Sequence, residues 1–120
     1  MIGWSLSQNL SRDLGRAPKL IIGRDTRESG EQICAALMRG AQAAGAQVAS
    51  AGVITTPGVA YITRVEAFDA GVVISASHNP FRDNGIKVFS PTGKKLADEM
   101  ERRIEADLSE ANYEDRKSVV

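Results

Sequence analysis

Ala70-Gly71-Val72-Val73-Ile74-Ser75-Ala76 is the stretch that decides the fold. It is apolar at consecutive positions, so both of its faces call for burial, and Val72, Val73 and Ile74 are β-branched. Those are the marks of a strand inside a parallel sheet covered on both sides. A polar stretch from Ser77 to Asn84 separates it from a second strand-like run, Gly85-Ile86-Lys87-Val88-Phe89-Ser90. That gap of eight residues is too short for a helical crossover, so the later strand is predicted to run antiparallel.

Working upstream, Lys19-Leu20-Ile21-Ile22-Gly23 and the weaker Gln47-Val48-Ala49-Ser50-Ala51-Gly52-Val53 read as two more strands. Between them Ile33, Leu37, Ala41 and Ala44 keep helical spacing as far as Gly45, behind Ser29 and Gln32 at capping-box separation. Thr56-Pro57 opens another helix, with the hydroxyl as cap, proline at the first helical position, and Val59, Ile62 and Val65 facing inward. Ile2, Leu6, Leu10 and Leu14 stripe a first helix that Gly15 stops, and Leu96, Met100, Ile104 and Leu108 stripe a last one. A helix joins each pair of the first three strands, which are therefore expected to be parallel. The order predicts an α/β fold: a three-layer α/β/α sandwich around a mixed four-stranded sheet, three strands parallel and the fourth antiparallel. Residues 1–108 are assigned to this domain and 109–120 to a polar tail or linker.

Composition narrows the function. In 120 residues, 15 Lys and Arg balance 15 Asp and Glu, which removes the electrostatic basis for bulk nucleic-acid or anionic-membrane binding. Cys34 is the only cysteine, so neither an internal disulfide nor a Cys-based zinc site is expected; its helical context reads as a small core residue. No apolar run approaches the roughly 20 residues of a membrane span. The expectation is a cytoplasmic domain with no nucleic-acid or membrane partner.

Ligands of open parallel sheets collect beyond the carboxyl ends of the strands. Three segments would meet there: Arg24 to Glu28, Ile54 to Pro57, and Ser77 to Asn84. Two of them lead into helix N-termini, with Ser29 and Thr56 as caps, and Arg24 and Arg27 add positive charge, so an anion such as phosphate is the expected ligand. Ser77-His78-Asn79-Pro80 joins a hydroxyl nucleophile to the only histidine, yet the same residues also make an ordinary capped turn. Asp83-Asn84-Gly85 is ambiguous in the same way. Lys87 has two readings as well: a solvated lysine guarding an edge strand, or a cation aimed at the phosphate site.

From Gly71 through Ser77-His78-Asn79-Pro80 to Ser90 the sequence resembles the phosphoserine loop of the phosphohexomutase family, most of all its phosphoglucosamine mutase branch. Ile22-Gly23-Arg24-Asp25-Thr26-Arg27-Glu28-Ser29-Gly30 is similar to that family's first-domain signature, and Thr55-Thr56-Pro57 to its next turn. The resemblance implies an intramolecular phosphotransferase that interconverts 6-phospho and 1-phospho sugars through a bisphosphosugar. It implies that Ser77 carries the phosphoryl group, that His78 and Lys87 act beside it, and that Arg24, Arg27 and Asn79 bind phosphate. It further implies Mg²⁺ held by Ser77 through its phosphate, a hexose 1,6-bisphosphate activator and a phosphosugar substrate.

The resemblance covers one domain of a four-domain family. The Thr-Asp-Gly-Ile-Arg-Gly segment and the Asp-Gly-Asp-x-Asp metal loop of the family are absent from this sequence. The expectation is therefore a phosphoglucosamine mutase first domain that is inactive by itself. Two alternatives stand beside it. One is a phosphomannomutase or phosphoglucomutase first domain. The other is a non-catalytic binding or assembly module, associating with another copy through an open sheet edge or an apolar patch.

Overall fold

The computed structural model describes residues 2–25, 31–75 and 86–119, with side chains as far as Ser109. Its elements are α1 (Ile2–Leu14), β1 (Lys19–Arg24), α2 (Glu31–Ala43), β2 (Gln47–Val53), α3 (Thr56–Val65), β3 (Ala70–Ile74), β4 (Ile86–Phe89) and α4 (Asp98–Val119). The strands lie in the order β2-β1-β3-β4. β1 pairs in parallel with both β2 and β3, whereas β4 runs antiparallel to β3. The mixed sheet predicted from the crossover lengths is the one observed. Every residue of β3 is buried, as an apolar run inside a doubly covered sheet requires.

One face of the sheet presents Leu20, Ile22, Val72 and Ile74 to Leu6 and Leu10 of α1, Leu37 and Ala41 of α2, and Met100 and Ile104 of α4. The other presents Ile21 and Val73 to Val59 of α3. On the first face α1 and α2 approach almost backbone to backbone. A Cβ on Gly3 would collide with the Leu37 carbonyl, and one on Gly40 would stand 3.1 Å from the Trp4 amide nitrogen. At the far side of α1, Ser5 Oγ donates to Asp107 Oδ2 of α4 at 2.6 Å, and Asn9 Nδ2 reaches the same oxygen at 3.3 Å. Polar residues thus lie buried on α1 where the apolar stripe alone would not put them, because the helix is walled on three sides.

Several details differ from the sequence reading. The cap of α3 is Thr55, whose Oγ1 accepts the Gly58 amide at 3.1 Å; Thr56 is the first helical residue and Pro57 the second. Val65 is half exposed, and Thr63 takes its place in the interior. The inward line of a helix runs through positions four apart, here Val59 and Thr63, and Val65 falls off that line. Leu14 is exposed at the end of α1, while Gly15 does adopt the left-handed conformation expected of it, at φ 72°. The backbone of 109–119, read as tail or linker, continues α4 as helix. The Ser29 cap lies outside the described residues. Cys34 is buried, as expected. No helix among the described residues is long and apolar enough to cross a membrane.

Candidate functional site

The carboxyl ends of β1, β2 and β3 share one edge of the sheet, and backbone hydrogen bonds stitch their continuations together. The Ile54 amide donates to the Arg24 carbonyl at 2.7 Å. The Asp25 amide donates to the Ile74 carbonyl at 3.0 Å. Two of the three segments expected to converge therefore do so, around Arg24–Asp25 and Ile54–Pro57, directly beside the end of β3. Arg24 itself is half-buried, in register with Val53 on one side and Ile74 on the other.

Lys87 lies on β4 opposite Val73, one step from the Ile74–Ile86 pair. Its side chain is exposed on an edge strand, which agrees with the solvated reading. It also stands one residue from the carboxyl edge of β3 and, with Thr56, Phe89, Leu96, Glu101 and Ile104, lines a groove of about 590 Å³ that runs between β4 and α4. The edge position keeps the ammonium hydrated. Ser77, His78, Asn79 and Arg27 lie outside the described residues, as do Asp83-Asn84-Gly85.

The start of α3 is a weaker anion site than the sequence suggests. Pro57 has no N–H, the Gly58 amide is taken by Thr55 Oγ1, and the Val59 amide donates to the Thr55 carbonyl at 3.1 Å. Of the first-turn donors that usually face an anion, only that of Thr56 has no assigned role in the cap. What remains is the helix dipole, which favours negative charge over this end without gripping it.

Sequence reasoning missed the packing that holds these pieces at their spacing. A Cβ on Gly23 would stand 2.7 Å from Ile54 Cγ2, and one on Gly58 would stand 2.8 Å from Ile54 Cγ1. Ile54 is therefore wedged between β1 and the first turn of α3, and both neighbours must be glycine to admit it. The pairing of β1 with β2 also slips, because Ile22 faces Ser50 but Gly23 faces Gly52, which leaves Ala51 as an extra residue. Gly52 has φ 67°. A glycine within a strand pattern is the one signal that could have flagged this bulge. Among the described residues no group of three or more His, Cys, Asp or Glu side chains could hold a metal ion, so they do not by themselves fit Mg²⁺.

Comparison with known proteins places this geometry. Residues 1–115 match the model of the phosphoglucomutase/phosphomannomutase α/β/α domain I. A protein of Koribacter versatilis named phosphoglucosamine mutase is 60% identical over 90 residues, which are 75% of this chain and 19% of that protein. Another of the same name from Chromohalobacter salexigens is 54% identical over 109 residues, 89% of this chain and 24% of its own length. The chain thus spans a fifth to a quarter of these relatives. The crystal structure of a phosphoglucomutase/phosphomannomutase family protein from Burkholderia thailandensis superposes with a TM-score of 0.67 at 25% identity, over 92% of this chain and 25% of that one. The chain belongs to the phosphoglucomutase/phosphomannomutase family and corresponds to its α/β/α domain I.

Proposed function

We propose that this chain is the phosphoserine-bearing first domain of a phosphoglucosamine mutase, and that Ser77 is the residue phosphorylated. The observation that carries the reading is its identity of 54–60% to proteins of that name across most of its length. The phosphomannomutase alternative has less support, since the structure from the wider family is only 25% identical.

In this reading Ser77 Oγ attacks a phosphorus of a hexose 1,6-bisphosphate. One P–O bond to the sugar breaks, a P–O bond to Oγ forms, the Oγ proton passes to a base such as His78, and the departing sugar oxygen takes up a proton, leaving a sugar monophosphate with a free hydroxyl. In the reverse half the phosphoserine donates to the free hydroxyl of the monophosphate. Such transfers are dominated by positioning and by stabilisation of charge on the equatorial oxygens. Lys87 supplies positive charge to the transfer, and Arg24, Arg27 and Asn79 bind phosphate. Mg²⁺, held in part by the Ser77 phosphate, would supply charge neutralisation to such a transfer. Full interconversion of glucosamine 6-phosphate and glucosamine 1-phosphate is assigned to the longer protein.

The test is intact mass after incubation with glucose 1,6-bisphosphate and Mg²⁺. The expected result is a gain of one phosphoryl group in the parent and none in Ser77→Ala, with no turnover of glucosamine 6-phosphate by the chain alone. A folded parent that takes up nothing, or uptake that survives in Ser77→Ala, defeats the assignment.

A further inference from the structure

We propose that the bulge closed by Gly52, with Ile54 wedged behind it, is the positioning element of the site, setting the Arg24–Asp25 backbone against the start of α3. This rests on the functional reading above for what the site does, but the placement itself is visible in the backbone.

In a regular strand successive side chains alternate between faces. Ala49 and Ala51 pack on the α3 face, so an unbroken β2 would send Ile54 to the opposite face, toward α1 and α2. The extra residue at Ala51 and the left-handed Gly52 shift that parity by one, and Ile54 packs instead on the α3 face with Val59 and Ile62. A single-residue slip moves every later side chain to the other side. Two consequences meet at Ile54. Its side chain fills the space left by Gly23 and Gly58, fixing how far α3 stands from β1. Its amide holds the Arg24 carbonyl, and the next residue of that strand holds Ile74 through the Asp25 amide. The end of β2, the start of α3 and the end of β1 are therefore registered through Ile54, and the adjoining Asp25 amide ties them to the end of β3. The strand leading to Ser77 is the last link of that chain.

Gly52 permits an unusually clean test, because a Cβ built there meets nothing within 4 Å. A β-carbon there perturbs the backbone angle without a clash. Valine opposes a positive φ most strongly and alanine less so, whereas asparagine tolerates it. Gly52→Val, Gly52→Ala and Gly52→Asn are compared with the parent by amide hydrogen exchange and by the initial rate of phosphorylation from glucose 1,6-bisphosphate, well below each melting temperature. We expect exchange at Ile54 and Asp25 to quicken about tenfold or more in Gly52→Val, with Leu20, Ile22 and Val72 unchanged. Phosphorylation should slow by a similar factor, fall less in Gly52→Ala, and stay within about threefold of the parent in Gly52→Asn.

Unchanged exchange at Ile54 and Asp25 overturns the proposal. So does an unchanged phosphorylation rate, or an equal loss in Gly52→Asn, which would mean that the backbone angle is not what matters. Should Gly52→Val fail to fold, the Ala and Asn pair carries the comparison. If the folded parent takes up no phosphoryl group, the functional reading fails, and the exchange data alone then decide whether the bulge places this edge.

Discussion

Thr63 of α3 rests on the bare Cα of Gly71 in β3: a Cβ added to Gly71 would collide with Thr63 Oγ1 and come within 3.1 Å of Val59 Cγ1. The threonine cannot easily yield, since it is fully buried and its hydroxyl donates to the Val59 carbonyl at 2.7 Å. Gly71→Ala should therefore cost about 1–3 kcal/mol by overpacking. Thr63→Ala in the same chain should recover part of that loss, because it removes the nearest clashing atom. Urea denaturation of the two single variants and the double variant checks the coupling; additive losses would mean that the two residues do not compete for one space.

At the opposite edge of the sheet Asp69 accepts two hydrogen bonds from the Arg16 guanidinium, at 2.7 and 2.8 Å, and one from the Lys19 amide at 2.8 Å. The Arg16 contact, aided by the Lys19 amide and opposed by burial, holds the Asp69 carboxyl below the usual carboxylate range. A depressed folded pKa means stability that is present above the ordinary carboxylate value of about 4 and is lost as pH falls through the folded value. Asp69→Ala should cost about 1–3 kcal/mol at pH 7, largely by stranding the Lys19 amide. The gap between parent and Asp69→Ala should narrow in denaturation curves taken below pH 4; a gap constant with pH would contradict the assignment.

The cap of α3 distinguishes neighbouring threonines. Thr55→Ala removes the acceptor of the Gly58 amide and should destabilise by about 1 kcal/mol, whereas Thr56→Ala should change stability by only a few tenths. Thermal melts of the pair decide which hydroxyl caps the helix.

Cys34 is buried, and burial pushes its thiol up from the ordinary value, opposed by the charge of Arg24. Reactivity follows the exposed thiolate. An aromatic disulfide reagent at pH 8 should modify the native chain at least about tenfold more slowly than the urea-unfolded one. Equal rates would mean that the α2 side of the core opens freely.

Much of the fold was legible because it depends on period and on short gaps. The all-apolar run Ala70–Ile74 could only be a central strand, and the short stretch before Ile86 could only return it antiparallel. The candidate site was legible in part. Arg24 and the Thr55–Pro57 turn announced themselves as polar or conformationally special residues at strand ends, and their backbones do meet beside the end of β3.

By itself the sequence determined the order of the elements and the direction of each strand, since hydrophobic period and gap length are local properties, although not the length of α4. Only the tertiary structure decided which threonine caps α3, why Thr63 rather than Val65 is inside, and how Ile54 reaches the α3 face. The cap is settled by local geometry between Thr55 and Gly58, but the other two turn on close approaches between segments distant in sequence, Thr63 on Gly71 and Ile54 on Gly23. Glycine shows only that space or a positive φ is needed. What fills the space is settled when helix and sheet pack.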